Sequence, residues 1–91
     1  MNTQESIALE VLRNYDDKPV GIYAKLYDPE RNCRYSVTCR YYDGHSVWYC
    51  KRRTPASDIF VDGFEMDRVI DKYNLKEAFS KLWEESNNDE E

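Results

Sequence analysis

Residues 33–53 read CRYSVTCRYYDGHSVWYCKRR. Two runs rich in β-branched and aromatic side chains flank Asp43-Gly44, the dipeptide preferred in a two-residue type I′ hairpin. A reversal of that length fixes the pairing. Tyr42 faces His45, Arg40 faces Val47, Thr38 faces Tyr49, Ser36 faces Lys51 and Arg34 faces Arg53.

The same reasoning extends toward the N-terminus. Residues 20–27 (VGIYAKLY) form another strand-like run, and Asp28-Pro29-Glu30-Arg31-Asn32 separates it from Cys33. Pro29 is suited to open a type I turn in a four-residue loop, which pairs Asp28 with Cys33. Tyr27 then lies opposite Arg34, Lys25 opposite Ser36 and Tyr23 opposite Thr38. Side chains alternate along a strand, so the two hairpins divide the sheet residues between two faces. One face collects Val20, Ile22, Ala24, Leu26, Cys33, Tyr35, Val37, Cys39, Tyr41, Trp48 and Cys50, an apolar surface that helices must cover. The other collects Tyr23, Lys25, Tyr27, Arg34, Arg40, Tyr42, Tyr49, Lys51 and Arg53, together with Ser36, Thr38, His45 and Val47, and no acid.

On either side of this three-stranded meander (20–53) the spacing predicts helices. In residues 3–15, Ile7, Ala8, Val11, Leu12 and Tyr15 recur at helical intervals, with Thr3 as cap and Asp16-Asp17-Lys18-Pro19 as stop. Residues 63–86 are read as one or two helices. Asp62 stands three before Glu65 and Asn74 three before Glu77, as in capping boxes, and Leu75, Ala78, Phe79, Leu82 and Trp83 share one face. Ile59-Phe60-Val61 is a candidate short edge strand, and residues 87–91 an acidic tail. The expected fold is α+β in a single domain, 1–91. It comprises an N-terminal helix, a three-stranded antiparallel meander and one or two C-terminal helices on one sheet face.

The 91 residues carry a net charge of −5, unevenly spread. Residues 19–53 hold 7 basic and 3 acidic side chains, whereas residues 54–91 hold 4 and 11. The acidic total argues against a generic nucleic-acid binder, and the basic middle points to a local recognition surface. An odd cysteine count, 3, and no signal-like leader suit reduced thiols in the cytoplasm. No apolar run is long enough to span a bilayer, so no membrane partner is expected.

The same residues bear on metal binding and catalysis. Cys33, Cys39, His45 and Cys50 resemble a ligand series, but six residues of strand place Cys33 about 20 Å from Cys39, too far to share a zinc ion. His45 follows a tight turn and lacks a nucleophile setting, and the helix carboxylates alternate with Lys and Arg as solvated faces do. No phosphate-cradling glycine loop occurs. Neither a cofactor nor catalysis is expected. The order α-β-β-β-α is that of double-stranded-RNA-binding domains, yet residues 62–67 are acidic where those domains are basic, and the aromatic signature of RNA-recognition sheets is missing from 34–42.

A protein partner is therefore expected. Tyr23, Lys25, Tyr27, Arg34, Arg40, Tyr42, Tyr49, Lys51 and Arg53 are the candidate binding residues, because tyrosine and arginine dominate interface hot spots and like charges set side by side oppose folding. The profile suits a small inhibitor or adaptor, such as a phage or mobile-element anti-defence (anti-CRISPR-like) protein acting on a nucleic-acid-processing target. The alternative is a nucleic-acid-binding module that stacks bases on the tyrosines and meets phosphates with the cations. A homodimer through this face is disfavoured, since it buries unpaired cations at a two-fold axis.

Overall fold

The two-residue connection between Tyr42 and His45 and the Pro29–Asn32 loop set the central pairings. Tyr42 pairs with His45, Thr38 with Tyr49 and Arg34 with Arg53, while Asp28 pairs with Cys33 and Tyr23 with Thr38. The computed structural model describes residues 7–42 and 44–88. Gly44 has φ +89°, a backbone conformation that favours glycine.

The sheet is wider than the sequence suggested. It has five antiparallel strands in consecutive order: β1 (Ile7–Arg13), β2 (Pro19–Asp28), β3 (Cys33–Tyr42), β4 (His45–Thr54) and β5 (Ser57–Phe60). Two helices follow, α1 (Gly63–Lys72) and α2 (Leu75–Asn88). The fold is α+β.

The helix expected over 3–15 is corrected. Residues 7–13 form β1, while Thr3 and the rest of 3–6 lie outside the described residues, as do Asp43 and residues 89–91 of the expected tail. Strand and helix compete for this short apolar run. As a strand it places Ile7, Leu9 and Val11 over Leu26, Ala24 and Ile22 and satisfies the free edge of β2. The segment read as a helix stop is a hairpin turn. Asn14 Oδ1 accepts from the backbone N–H groups of Asp16 and Lys18, and Asp17 takes φ 64°. The suggested edge strand near Ile59 exists as β5, and α2 runs on through Asn87 and Asn88.

The C-terminal stretch is two helices, because Asn74 adopts φ 53° and breaks the continuity. Its backbone N–H donates to Asp71 O, and its side-chain amide donates to Glu77 Oε1 at 2.9 Å. At the start of α1, Asp62 Oδ1 accepts from the Glu65 N–H at 2.9 Å. Only this half of the capping box forms, because the Glu65 carboxylate is engaged with the sheet.

Both helices lie on the apolar face. Ile22, Ala24, Leu26, Tyr35, Val37 and Cys39 of the sheet are buried with Val69, Ile70, Leu75 and Phe79 in one cluster. Two aromatic stacks fasten α2 to the far strands: Tyr41 on Trp83 at 4.1 Å and Trp48 on Phe79 at 5.1 Å between ring centres. Such pairs add about 0.5–1.5 kcal/mol beyond their area. Asp28, almost fully buried, accepts from the Glu30 N–H and lies 3.7 Å from the Lys72 ammonium, tying the β2–β3 loop to the end of α1. No helix among the described residues is long and apolar enough to cross a membrane.

Candidate functional site

The helices leave the opposite sheet face uncovered, and the strand register arranges it in rows. One row runs Glu10, Tyr23, Thr38, Tyr49; the next runs Ala8, Lys25, Ser36, Lys51, Phe60; a third runs Tyr27, Arg34, Arg53, Asp58. Arg40 lies beside Gly21 on one strand and Val47 on the other, and Tyr42 pairs with His45 at the hairpin end. Every residue named from the sequence as a candidate for binding sits on this face.

The tyrosines of this face are partly open to solvent. Tyr27, Tyr42 and Tyr49 are exposed by 39%, 47% and 43%. Tyr27 is held by a hydrogen bond from its hydroxyl to Asn32 Oδ1 at 2.9 Å, with the Arg34 guanidinium over its ring at 6.0 Å. Gly21, beside Arg40, is buried against β3. The β3 backbone approaches so closely there that a Cβ on residue 21 would lie 2.6 Å from the Cys39 carbonyl oxygen. A shallow depression of about 440 Å³ opens between Tyr23, Arg40, Tyr49, Lys51, Asp58 and Phe60.

The expectation that this face holds no acid is corrected. β1 and β5 bring Glu10 and Asp58 onto it. Asp58 lies 3.9 Å from Lys51 and 3.6 Å from Arg53, so the Arg34–Arg53 like-charge pair has an acid at its end. Phe60 packs under the Lys51 ammonium at 5.1 Å. Asp58 and Phe60 were within reach of the sequence, since the candidate edge strand at Ile59 puts them on alternate sides from Ile59. Glu10 was hidden by the helical reading of its segment. Lys25, Arg34 and Arg40 form no ion pair among the described residues.

Arg52, by contrast, points to the helical side. Its guanidinium sits 2.6 and 2.7 Å from the two Glu65 oxygens, and the Tyr35 hydroxyl donates to Glu65 Oε2 at 2.8 Å. The Arg52 hydrogen bonds hold the Glu65 carboxyl below the usual carboxylate range despite its burial. Burial, reinforced by the Glu65 contact, pushes the Tyr35 phenol up.

Cys33, Cys39 and Cys50 are free thiols buried on the apolar side, and burial pushes Cys50 up to about 11. Inert thiols of this kind act as small hydrophobes. His45 lies on the exposed side, away from them. No group of His, Cys, Asp and Glu among the described residues is placed to hold a metal ion. In comparisons with known proteins, no family model, no curated sequence and no solved structure matches the chain.

Proposed function

We propose that this protein is a non-enzymatic inhibitor or adaptor that docks an acidic segment of another protein on its uncovered sheet face. The reading rests on one observation. Lys25, Arg34 and Arg40 stand on that face without an ion-pair partner among the described residues, interleaved with half-exposed tyrosines. Arg34 stands directly beside Arg53, a like-charge pair that costs stability, and tyrosine and arginine together make the strongest interface anchors. Glu10 and Asp58 favour a protein over a nucleic acid, because they repel a continuous phosphate backbone yet leave room for spaced carboxylates. The helical layer carries the acids of residues 62–85. A two-signed surface of this kind suits an anti-defence protein acting on a nucleic-acid-processing target.

Pulldown with the intact chain tests the proposal. A protein partner is expected, and Arg40→Glu or Tyr49→Ala is expected to release it with the fold intact. Retention of the partner by both variants would move the interface to the helices. Binding of single-stranded DNA or RNA that weakens with a slope of about −0.7 per phosphate contact would replace the proposal with the nucleic-acid reading.

A further inference from the structure

The two edges of the sheet are built differently. β5 spans only Ser57–Phe60 and carries Asp58, a short and charged edge of the kind that resists pairing. β1 is longer, Ile7–Arg13, and reads IALEVLR. Its one irregularity is the register shift between Leu12 and Arg13, so Ile7 to Val11 present a regular edge to which no described residue pairs.

The register also shows which backbone groups that edge exposes. The Cys50 carbonyl accepts from the Val61 N–H, so the polar groups of Cys50 point toward the β5 side. Polar groups alternate along a strand and face each other within a hydrogen-bonded pair. Counting back through the pairings, Lys51 points at Ser36, Val37 at Ala24, and Tyr23 and Lys25 at Glu10 and Ala8. Ile7, Leu9 and Val11 therefore direct their N–H and C=O groups outward. Their side chains lie on the helical side of the sheet, where Ile7 and Leu9 are still 38% and 40% exposed.

We infer that β1 pairs antiparallel with β1 of a second copy of this chain, with Leu9 on the two-fold axis, to form a continuous ten-stranded sheet. In that register Leu9 exchanges both backbone hydrogen bonds with Leu9 of the second copy, and Ile7 does so with Val11 of the second copy. All six side chains fall on the apolar face, where the half-exposed ones cover each other. Moving the axis to Val11 would instead put the Leu12/Arg13 irregularity into the ladder and set Leu9 against Arg13. On the other face Glu10 lands opposite Ala8 of the second copy rather than opposite its own equivalent. Ala8 is flanked by Lys25 on β2, so Glu10 reaches over the small Ala8 side chain toward Lys25 of the second copy. Two strand spacings, about 10 Å, separate those backbones, a span that the two side chains close. Lys25, which has no acid partner among the described residues, gains one. This dimer draws Lys25 into the seam but leaves the tyrosines, Arg34 and Arg40 open and doubles them, unlike a dimer built through that face.

Sedimentation equilibrium and cross-linking of the full chain test the pairing. Twice the chain's mass is expected at about 100 µM protein. Leu9→Pro removes an outward N–H without touching the β1–β2 ladder, and it is expected to weaken the dimer by about tenfold or more with an unchanged circular dichroism spectrum. Leu9→Cys is expected to form an intermolecular disulfide on mild oxidation, because paired Cα atoms there lie about 5.5 Å apart. Ile7→Cys is expected not to, its equivalents being roughly 14 Å apart. Glu10→Lys and Lys25→Glu are each expected to weaken the dimer, and the double variant to restore it. A monomer at that concentration, or a dimer insensitive to Leu9→Pro that fails to cross-link through Leu9→Cys, would overturn the inference.

Discussion

Glu65 reaches from the first turn of α1 to the Arg52 guanidinium on β4, at 2.6 and 2.7 Å, while the Tyr35 hydroxyl donates to one of its oxygens at 2.8 Å. This one carboxylate connects the helical layer to two neighbouring strands. It is also the residue that would otherwise complete the α1 capping box, so the fold uses it for docking instead of for the helix end.

Glu65→Gln is therefore expected to destabilise the protein by about 1–3 kcal/mol, the cost of removing a charged, largely buried hydrogen-bond acceptor. The native pKa of Glu65 is depressed, so its contribution is complete above the unfolded carboxylate range and is lost as pH falls through the native value. Urea melts from pH 7 down to pH 3 check this. The wild type should lose stability toward acid more steeply than Glu65→Gln, and parallel curves would show that the ion pair contributes nothing.

Gly21 of β2 lies against the β3 backbone, and a Cβ there would meet the Cys39 carbonyl at 2.6 Å. Backbone has to move to admit it. Gly21→Ala should cost about 1–3 kcal/mol, an overpacking penalty. Thermal unfolding measures it, and a variant as stable as the wild type would mean that the strands separate at that point without cost.

The central register was legible because turn length sets pairing independently of tertiary context: Asp43-Gly44 and Pro29–Asn32 each admit few geometries, and together they sorted Tyr23, Arg40 and Tyr49 onto one side. β1 was not legible. Ile7, Ala8, Val11 and Leu12 satisfy helical spacing, while Ile7, Leu9 and Val11 alternate equally well with Ala8, Glu10 and Leu12. What separates the two readings is the unsatisfied edge of β2, a tertiary demand that local pattern does not contain. The acids on the outer face followed the same division. Asp58 directly precedes the candidate strand 59–61, whose alternation extended by one residue places it, whereas Glu10 became visible only once its segment was a strand. Arg52 escaped notice because a cation on an apolar face has meaning only when its partner, Glu65, is known.

Asn74 separates α1 from α2 at φ 53° and donates its side-chain amide to Glu77. Alanine would keep the strained backbone and lose the hydrogen bond. Asn74→Ala should cost about 1–2 kcal/mol, whereas Asn74→Gly, which relieves the backbone, should stay within about 0.5 kcal/mol of wild type. Paired chemical melts distinguish them. Equal losses in both would place the effect in the Glu77 contact, not in the backbone conformation.

Asp58 tempers the positive face, at 3.9 Å from Lys51 and 3.6 Å from Arg53. Its pairs are exposed, so Asp58→Asn should change stability by no more than about 0.5 kcal/mol. Its effect on binding should be larger, because removing the acid frees both cations at the rim of the tyrosine depression and raises the charge of the face by one. With poly-glutamate as an acidic probe, Asp58→Asn should tighten binding several-fold at low salt, while Arg40→Glu should weaken it. Near 1 M salt the screening length falls to about 3 Å and both differences should vanish. Isothermal titration across that salt range reads the outcome. If neither substitution alters the affinity at low salt, the acidic probe is bound somewhere other than this face, and the docking proposal fails with it.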